Sequence, residues 1–260
     1  MRNMTGTKAT FPWLACHRPN PRAALRLFCF PYAGGGAPIY RNWVERLPPE
    51  VEVCPVQLPG RGGRLREKPF SRMAPLAEAL AAELRAYLDK PFAFFGHSMG
   101  AIIGFEVARV LRREGAPRPR YLFASGRAAP QIPRPDPPTY ELPEAEFIEE
   151  LRRLNGTPAE VLEHPELMQV MLPLVRADFE LIQTYDYTPG PPLDCPISAA
   201  GGLEDEGVSR EQLEAWREQT AASFTLRMYP GDHFFIHSAQ PQLLRMLAQE
   251  LAQGGLLPRA

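Results

Sequence analysis

Gly96-His97-Ser98-Met99-Gly100 constrains this 260-residue chain more than any other stretch. An apolar run, Phe92-Ala93-Phe94-Phe95, comes directly before it. A helical pattern, Ala101-Ile102-Ile103-Gly104-Phe105-Glu106-Val107-Ala108, comes directly after. The run suits a parallel strand buried on both faces. A serine between two glycines at such a strand-to-helix junction sits on a turn too tight for flanking side chains. The turn lifts the hydroxyl clear of the backbone, at a helix N-terminus that favours developing negative charge.

A serine so placed is the nucleophile elbow of the α/β-hydrolase architecture. Its hydroxyl is a poor nucleophile at neutral pH and needs a histidine base held by a carboxylate. In this architecture the chain order is Ser, then Asp or Glu, then His. Of the five histidines, His17 lies in a Pro-rich N-terminal stretch and His97 belongs to the elbow, where it reads as a supporting side chain. His164 precedes Pro165 in a helix-start context and reads as a cap, and His237 falls just inside the expected final helix. His233 follows an alternating strand pattern, Phe224-Thr225-Leu226-Arg227-Met228-Tyr229, and falls in the loop beyond it. Catalytic groups gather there in parallel sheets.

The acid is expected after a strand between Ser98 and His233. Cys195-Pro196-Ile197-Ser198-Ala199-Ala200 reads as that strand, and Glu204, Asp205 and Glu206 follow it. Spacing does not separate the three. Asp232 also competes, although adjacent side chains diverge, so it reads as a loop-shaping residue. An oxyanion hole needs two backbone donors: the N–H of Met99, after the nucleophile, and one from the loop after an early strand. Leu25-Arg26-Leu27-Phe28-Cys29-Phe30 is that strand and Pro31-Tyr32-Ala33-Gly34-Gly35-Gly36 is the loop. No Gly-Lys-Ser/Thr follows it, which argues against a phosphate loop.

Together these stretches resemble the type II thioesterases that accompany polyketide synthases and non-ribosomal peptide synthetases. The matching signatures are Phe30-Pro31-Tyr32-Ala33-Gly34-Gly35, Gln57-Leu58-Pro59-Gly60-Arg61 and the elbow. Gly202-Leu203-Glu204-Asp205-Glu206-Gly207-Val208 and Gly231-Asp232-His233-Phe234-Phe235 complete the set, with Trp43 after the glycine loop. The resemblance covers roughly residues 25–252. It implies a serine hydrolase that cleaves acyl thioesters from the phosphopantetheine arm of acyl or peptidyl carrier proteins, with no cofactor of its own. By resemblance, Ser98 is the nucleophile, Asp205 the acid and His233 the base, while Ala33 and Met99 give the oxyanion donors. Two positions depart from the family pattern: Glu206 stands where proline usually follows the aspartate, and Gly62 where an acidic residue often follows Pro-Gly-Arg. A carboxylesterase or lipase would use the same three residues. An acyltransferase and a non-catalytic acyl-binding protein are further readings.

The rest of the chain fits that scheme. Strand and helix patterns alternate from Leu25, predicting a mostly parallel sheet with helices on both faces. Strands are expected near 25–31, 51–57, 91–96, 120–126, 194–200 and 223–229, and helices near 39–47, 73–89, 99–114, 209–219 and 239–252. Residues 1–24 read as a loose arm and 25–260 as one α/β-hydrolase domain. Residues 127–192 interrupt the alternation with a Pro-rich entry and two helical patterns, the second kinked at Pro173. They read as a helical lid insertion, in which Met168, Met171, Leu174, Phe179 or Tyr185 line an acyl channel.

The formal net charge of −1 offers no case for nucleic acid or an anionic membrane as partner. No run approaches a membrane span and no apolar signal core precedes Pro12. Cys16, Cys29, Cys54 and Cys195 are widely spaced and read as free thiols. A cytoplasmic monomer is expected. Carrier domains of this type are commonly acidic, so two basic clusters are docking candidates: Arg61, Arg64, Arg66 and Lys68, and Arg109, Arg112, Arg113, Arg118 and Arg120. A solvated surface is the plainer reading of each cluster.

Overall fold

Six parallel strands build one sheet in the computed structural model, which describes residues 13–14, 19–133, 137–156 and 162–257. The strands are β1 (Leu25–Phe30), β2 (Val51–Pro55), β3 (Phe92–His97), β4 (Leu122–Ser125), β5 (Ile197–Gly202) and β6 (Phe224–Tyr229). Their spatial order is β2-β1-β3-β4-β5-β6. Every residue of β3 is buried, because strands flank it on both sides and helices cover both faces. The two-residue period divides its side chains: Phe92 and Phe94 face one core, Ala93 and Phe95 the other. Strand β1 divides likewise, with Phe28 and Phe30 opposite Leu27 and Cys29. Strands β2 and β6 are the edges, and on β6 Arg227 is exposed.

Helices α1 (Met73–Leu84) and α2 (Met99–Arg113) cover the first core. A 3-10 helix, Ala37–Glu45, carries Tyr40 and Trp43 into the second, where they pack edge-on against Phe95. That element takes the place of the α-helix expected near 39–47. Short 3-10 turns likewise replace the ends of two expected helices, at Arg85–Tyr87 and Ala215–Gln219. The 127–192 stretch holds α3 (Glu144–Arg153) and α4 (Pro165–Gln183), with Pro173 exposed inside α4. Phe147, Leu151, Met168, Leu172 and Val175 form a small core between these two helices. Three further helices follow: α5 (Arg210–Glu214), α6 (Phe235–Ser238) and α7 (Gln240–Gln253).

Most of the 1–24 stretch lies outside the described residues. Its Trp13 and Leu14 are buried, and Leu14 bridges Val56 in antiparallel fashion. Cys29, Cys54 and Cys195 are buried free thiols, as expected. Cys16 and His17 lie outside the described residues. Among the described residues, no helix is long and apolar enough to cross a membrane.

After β2 the chain passes over β1 and adds β3 on its other side. The loops leaving β1 and β3 therefore diverge from adjacent strand ends. Such a switch in strand order opens a crevice beyond the carboxyl ends of the strands.

Candidate active site

Ser98 occupies the turn between β3 and α2 with φ 53 and ψ −116, a strained region for a non-glycine residue. Its N–H donates to the Ser125 carbonyl at 2.7 Å, which ties the turn to the end of β4. The flanking glycines are required by contact. A Cβ on Gly96 would lie 2.0 Å from the Gly100 carbonyl oxygen, and one on Gly100 would lie 2.1 Å from that of Phe30.

The structure brings together three of the side chains singled out from the sequence. Ser98 Oγ lies 3.0 Å from His233 Nε2, and His233 Nδ1 lies 2.7 Å from Asp205 Oδ2. A carboxylate only accepts, so Nδ1–H donates to Asp205 and Nε2 is left to accept the Ser98 hydroxyl proton. The Asp205 side chain is 2% exposed, against 26% for His233, so the pair sits with its acid end shielded from water. Glu204 and Glu206 are exposed, and Asp205 alone of the three meets the imidazole. Its second oxygen accepts from the Gly207 N–H at 2.9 Å, which closes the loop around it. Asp232 shapes its loop, as expected: it accepts from the Phe234 N–H at 2.8 Å.

His97 is wholly buried beneath this group. Its Nε2 lies 2.9 Å from the His233 carbonyl and must donate there, so Nδ1 accepts from Ser125 Oγ–H at 2.9 Å. Burial holds its pKa well below the ordinary histidine value, and the nearby His233 imidazole pushes the same way. His97 is therefore neutral when folded. An unfolded His97 takes a proton as pH falls through about 6.5, whereas the folded one does not until much lower. Its contribution to stability is full above that value and is lost below it. His97→Gln should flatten this dependence. Between pH 7 and 5.5 the parent chain should lose about 1 kcal/mol more stability than the variant in urea titrations. Equal losses would contradict the neutral assignment.

The remaining histidines have smaller roles. His164 occupies the position before α4, but its exposed side chain makes no cap. His237 lies in the short helix α6 rather than in α7, and its Nε2 is 3.0 Å from the Tyr32 hydroxyl.

Ala33 lies in the loop after β1, and Met99 follows Ser98 beyond the end of β3. Met99 opens α2, where a first-turn N–H has no partner within its helix. Among the described residues the Ala33 N–H meets no hydrogen-bond acceptor. No group of His, Cys, Asp or Glu among the described residues is placed to hold a metal ion.

The expected channel residues separate. Met168 belongs to the small core between α3 and α4, and Phe179 packs edge-on against Phe147 there. Leu174 is buried and Met171 half-buried on α4. Tyr185 donates to Glu106 at 2.7 Å and lines a cavity of about 440 Å³ together with Ile102, Ala128, Val208 and Gln212.

Burial corrects part of the first basic cluster, while Arg113, Arg118 and Arg120 of the second are exposed. Arg61 and Arg64 turn inward: Arg61 pairs with Asp178, and Arg64 pairs with Glu67 and lies 3.9 Å over the Trp13 ring. Both are under a tenth exposed and cannot meet a partner protein. Arg66 and Lys68 are exposed. In the second cluster Arg109 pairs with Glu106, and Arg112 donates to the carbonyls of Pro191 and Pro192. The Arg61–Asp178 pair itself went unread in the sequence. Its signal was an acidic residue inside the apolar stripe of α4.

The family model described as "Thioesterase domain" matches residues 25–251. The gramicidin S biosynthesis protein GrsT of Aneurinibacillus migulanus is 46% identical over 248 residues, covering 95% of this chain and 97% of that protein. Among solved structures, RedJ, a thioesterase from the prodiginine biosynthetic pathway of Streptomyces coelicolor, superposes with a TM-score of 0.85 at 46% identity. That match covers 90% of this chain and 92% of RedJ. The type II thioesterase BorB of the borrelidin biosynthetic cluster gives a TM-score of 0.84 at 38% identity over 92% of this chain and 97% of BorB.

Proposed function

The chain belongs to the thioesterase family, among the type II enzymes of polyketide and non-ribosomal peptide pathways, and from that premise we propose that Ser98 removes acyl groups from carrier-protein phosphopantetheine thiols. The observation that carries this reading is the continuous hydrogen-bonded line from Ser98 through His233 to Asp205.

In the proposed cycle His233 Nε2 takes the Ser98 proton as Oγ attacks the thioester carbonyl. The N–H groups of Ala33 and Met99 receive the oxyanion, each contributing about 3 kcal/mol to the transition state. The C–S bond breaks, and the imidazolium returns its proton to the departing thiolate. Water, deprotonated by the same imidazole, then attacks the acyl-serine; the C–Oγ bond breaks, the imidazolium returns its proton to Ser98 Oγ, and the carboxylic acid leaves. Asp205 holds the ring in the tautomer both halves require and stabilises the imidazolium between them. The cavity beside Tyr185 is proposed to take part of the acyl chain, since it starts one helical turn from Ser98 and borders the Asp205 loop. The carrier partner is proposed to dock beside the Gly60 loop, on Arg66 and Lys68.

The test compares kcat/KM for one acyl group on a carrier protein, on a small thiol and on an aryl ester. The carrier thioester should be preferred over the aryl ester by at least about 100-fold. The reverse preference would return the chain to the carboxylesterases. Charge reversal at Arg66 and Lys68 should raise KM for the carrier substrate about tenfold and leave the small thioester unchanged. An unchanged carrier KM would remove that docking face.

A further inference from the structure

Asp178 sits on the inward face of α4, 1% exposed, and three donors converge on its carboxylate. Arg61 Nη2 donates to Oδ1 at 2.7 Å, while Arg61 Nη1 and the Gly34 N–H donate to Oδ2 at 2.9 and 2.8 Å. Arg61 Nη1 also donates to the Gly35 carbonyl at 2.7 Å. The pair thus grips two successive residues of the loop after β1, one by its amide and one by its carbonyl. Gln57 steadies the arginine end: its Nε2 donates to the Arg61 carbonyl, and its Oε1 accepts from the Ala37 N–H.

Nearby residues of α4 press on the same loops. Gly34 has a φ of +75, and a Cβ on it would lie 3.4 Å from Val175 Cγ2. A Cβ on Gly60 would lie 3.2 Å from Leu174 Cδ1. Leu174, Val175 and Asp178 recur at helical spacing, so one face of α4 seats on both loops. A buried ion pair is a poor route to net stability, since apolar residues of similar volume often serve as well or better. It does fix direction: a bidentate guanidinium and an amide sharing one carboxylate leave little freedom to any of the three. Ala33 is the residue immediately before the gripped Gly34.

We propose that Arg61 and Asp178 are positioning residues for the loop after β1, through which the seating of α4 sets the Ala33 N–H for the oxyanion. This rests on the mechanism proposed above and adds a condition to it: the oxyanion site is complete only while α4 is docked. Neither residue touches the reacting atoms.

The test uses the full chain carrying Arg61→Met with Asp178→Leu, and separately Asp178→Asn, against the parent. Three quantities are measured: the melting transition, kcat and KM for a short N-acetylcysteamine thioester, and hydrogen exchange of peptides spanning 31–36. The double variant should fold, lose about 10- to 100-fold in kcat with KM changed less than about 3-fold, and exchange at least about tenfold faster in that loop but not in β3. A folded double variant with parental kcat or parental loop exchange overturns the proposal. If the double variant fails to fold, Asp178→Asn decides by the same two readouts. A parent that does not hydrolyse the thioester refutes the mechanism instead. Loop exchange then decides the positioning role alone: faster exchange supports it and unchanged exchange overturns it.

Discussion

Ser98→Ala should reduce thioester turnover by at least about 10⁴-fold and leave the melting transition nearly where it was. Alanine keeps the φ of 53 that the elbow imposes, so the backbone strain is neither relieved nor increased. The substitution removes one hydrogen bond, 3.0 Å to His233, at the edge of a partly open site. Such a bond contributes about 1 kcal/mol, small beside the stability of a domain this size. The loss of rate is large because, among the described residues, Ser98 Oγ is the one nucleophile hydrogen-bonded to His233 Nε2. The neighbouring backbone donors and the His233–Asp205 pair stay in place, so the variant should still bind substrate. Intact-mass measurement after mixing with an acyl thioester should show an acyl adduct on the parent and none on the variant. Turnover within tenfold of the parent would mean that the acyl group never passes through Ser98.

Much of this arrangement is legible in the chain because several of its constraints are local. Phe92-Ala93-Phe94-Phe95 is apolar on both faces since β3 is central, and the glycines of the elbow follow from a turn with no room for Cβ. The base is legible by position: only His233 follows a strand in the required chain order. The acid is not, because Glu204, Asp205 and Glu206 differ only in which way the loop between β5 and α5 turns them. The resemblance to known thioesterases named Asp205, and the 2.7 Å contact to His233 is made by that residue.

Charge was the poorest guide. Arg61 and Arg64 read as surface because arginine usually is, yet each finds a buried carboxylate or an aromatic face. Asp178 lies 117 residues along the chain from Arg61 and Trp13 lies in the N-terminal stretch, so no periodicity joins those contacts to their arginines; Arg64–Glu67 alone is at helical spacing. Glu250 is a parallel case: it is 5% exposed on α7 and accepts from Tyr121 at 2.7 Å and from Arg227 at 3.1 Å. Helix type was also hard to read. Ala37–Glu45 has the apolar spacing of a short α-helix, but it packs as a 3-10 segment with Tyr40 and Trp43 turned onto Phe95.

Gly96→Ala is expected to do more damage than any loss of a catalytic group, because it attacks the elbow itself. The new Cβ would lie 2.0 Å from the Gly100 oxygen, 2.2 Å from the Gly100 carbonyl carbon and 2.5 Å from the Ala101 nitrogen. All three are backbone atoms in the first turn of α2, so no rotamer change makes room. Strand β3 cannot retreat, since Gly96 is in register with Phe30 on one side and Ala124 on the other. Helix α2 would have to lift away, and Ile102, Ile103, Phe105 and Val107 would then leave the core. The expected cost is about 4 kcal/mol or more, a large share of a typical domain's stability, and a fall in melting temperature of roughly 10 °C or more. Whatever fraction folds should be inactive, because Ser98 moves with the turn. Gly104→Ala is the control. Its Cβ would meet side-chain carbons of Phe30 at 3.3 Å and Leu122 at 3.6 Å, and alanine suits a helix better than glycine does. That variant should stay within about 1 kcal/mol of the parent and keep its activity. Melting curves and turnover for the two variants separate a collision with backbone from a simple change of helix composition. A Gly96→Ala protein with parental stability and rate would mean that the turn around Ser98 is built differently.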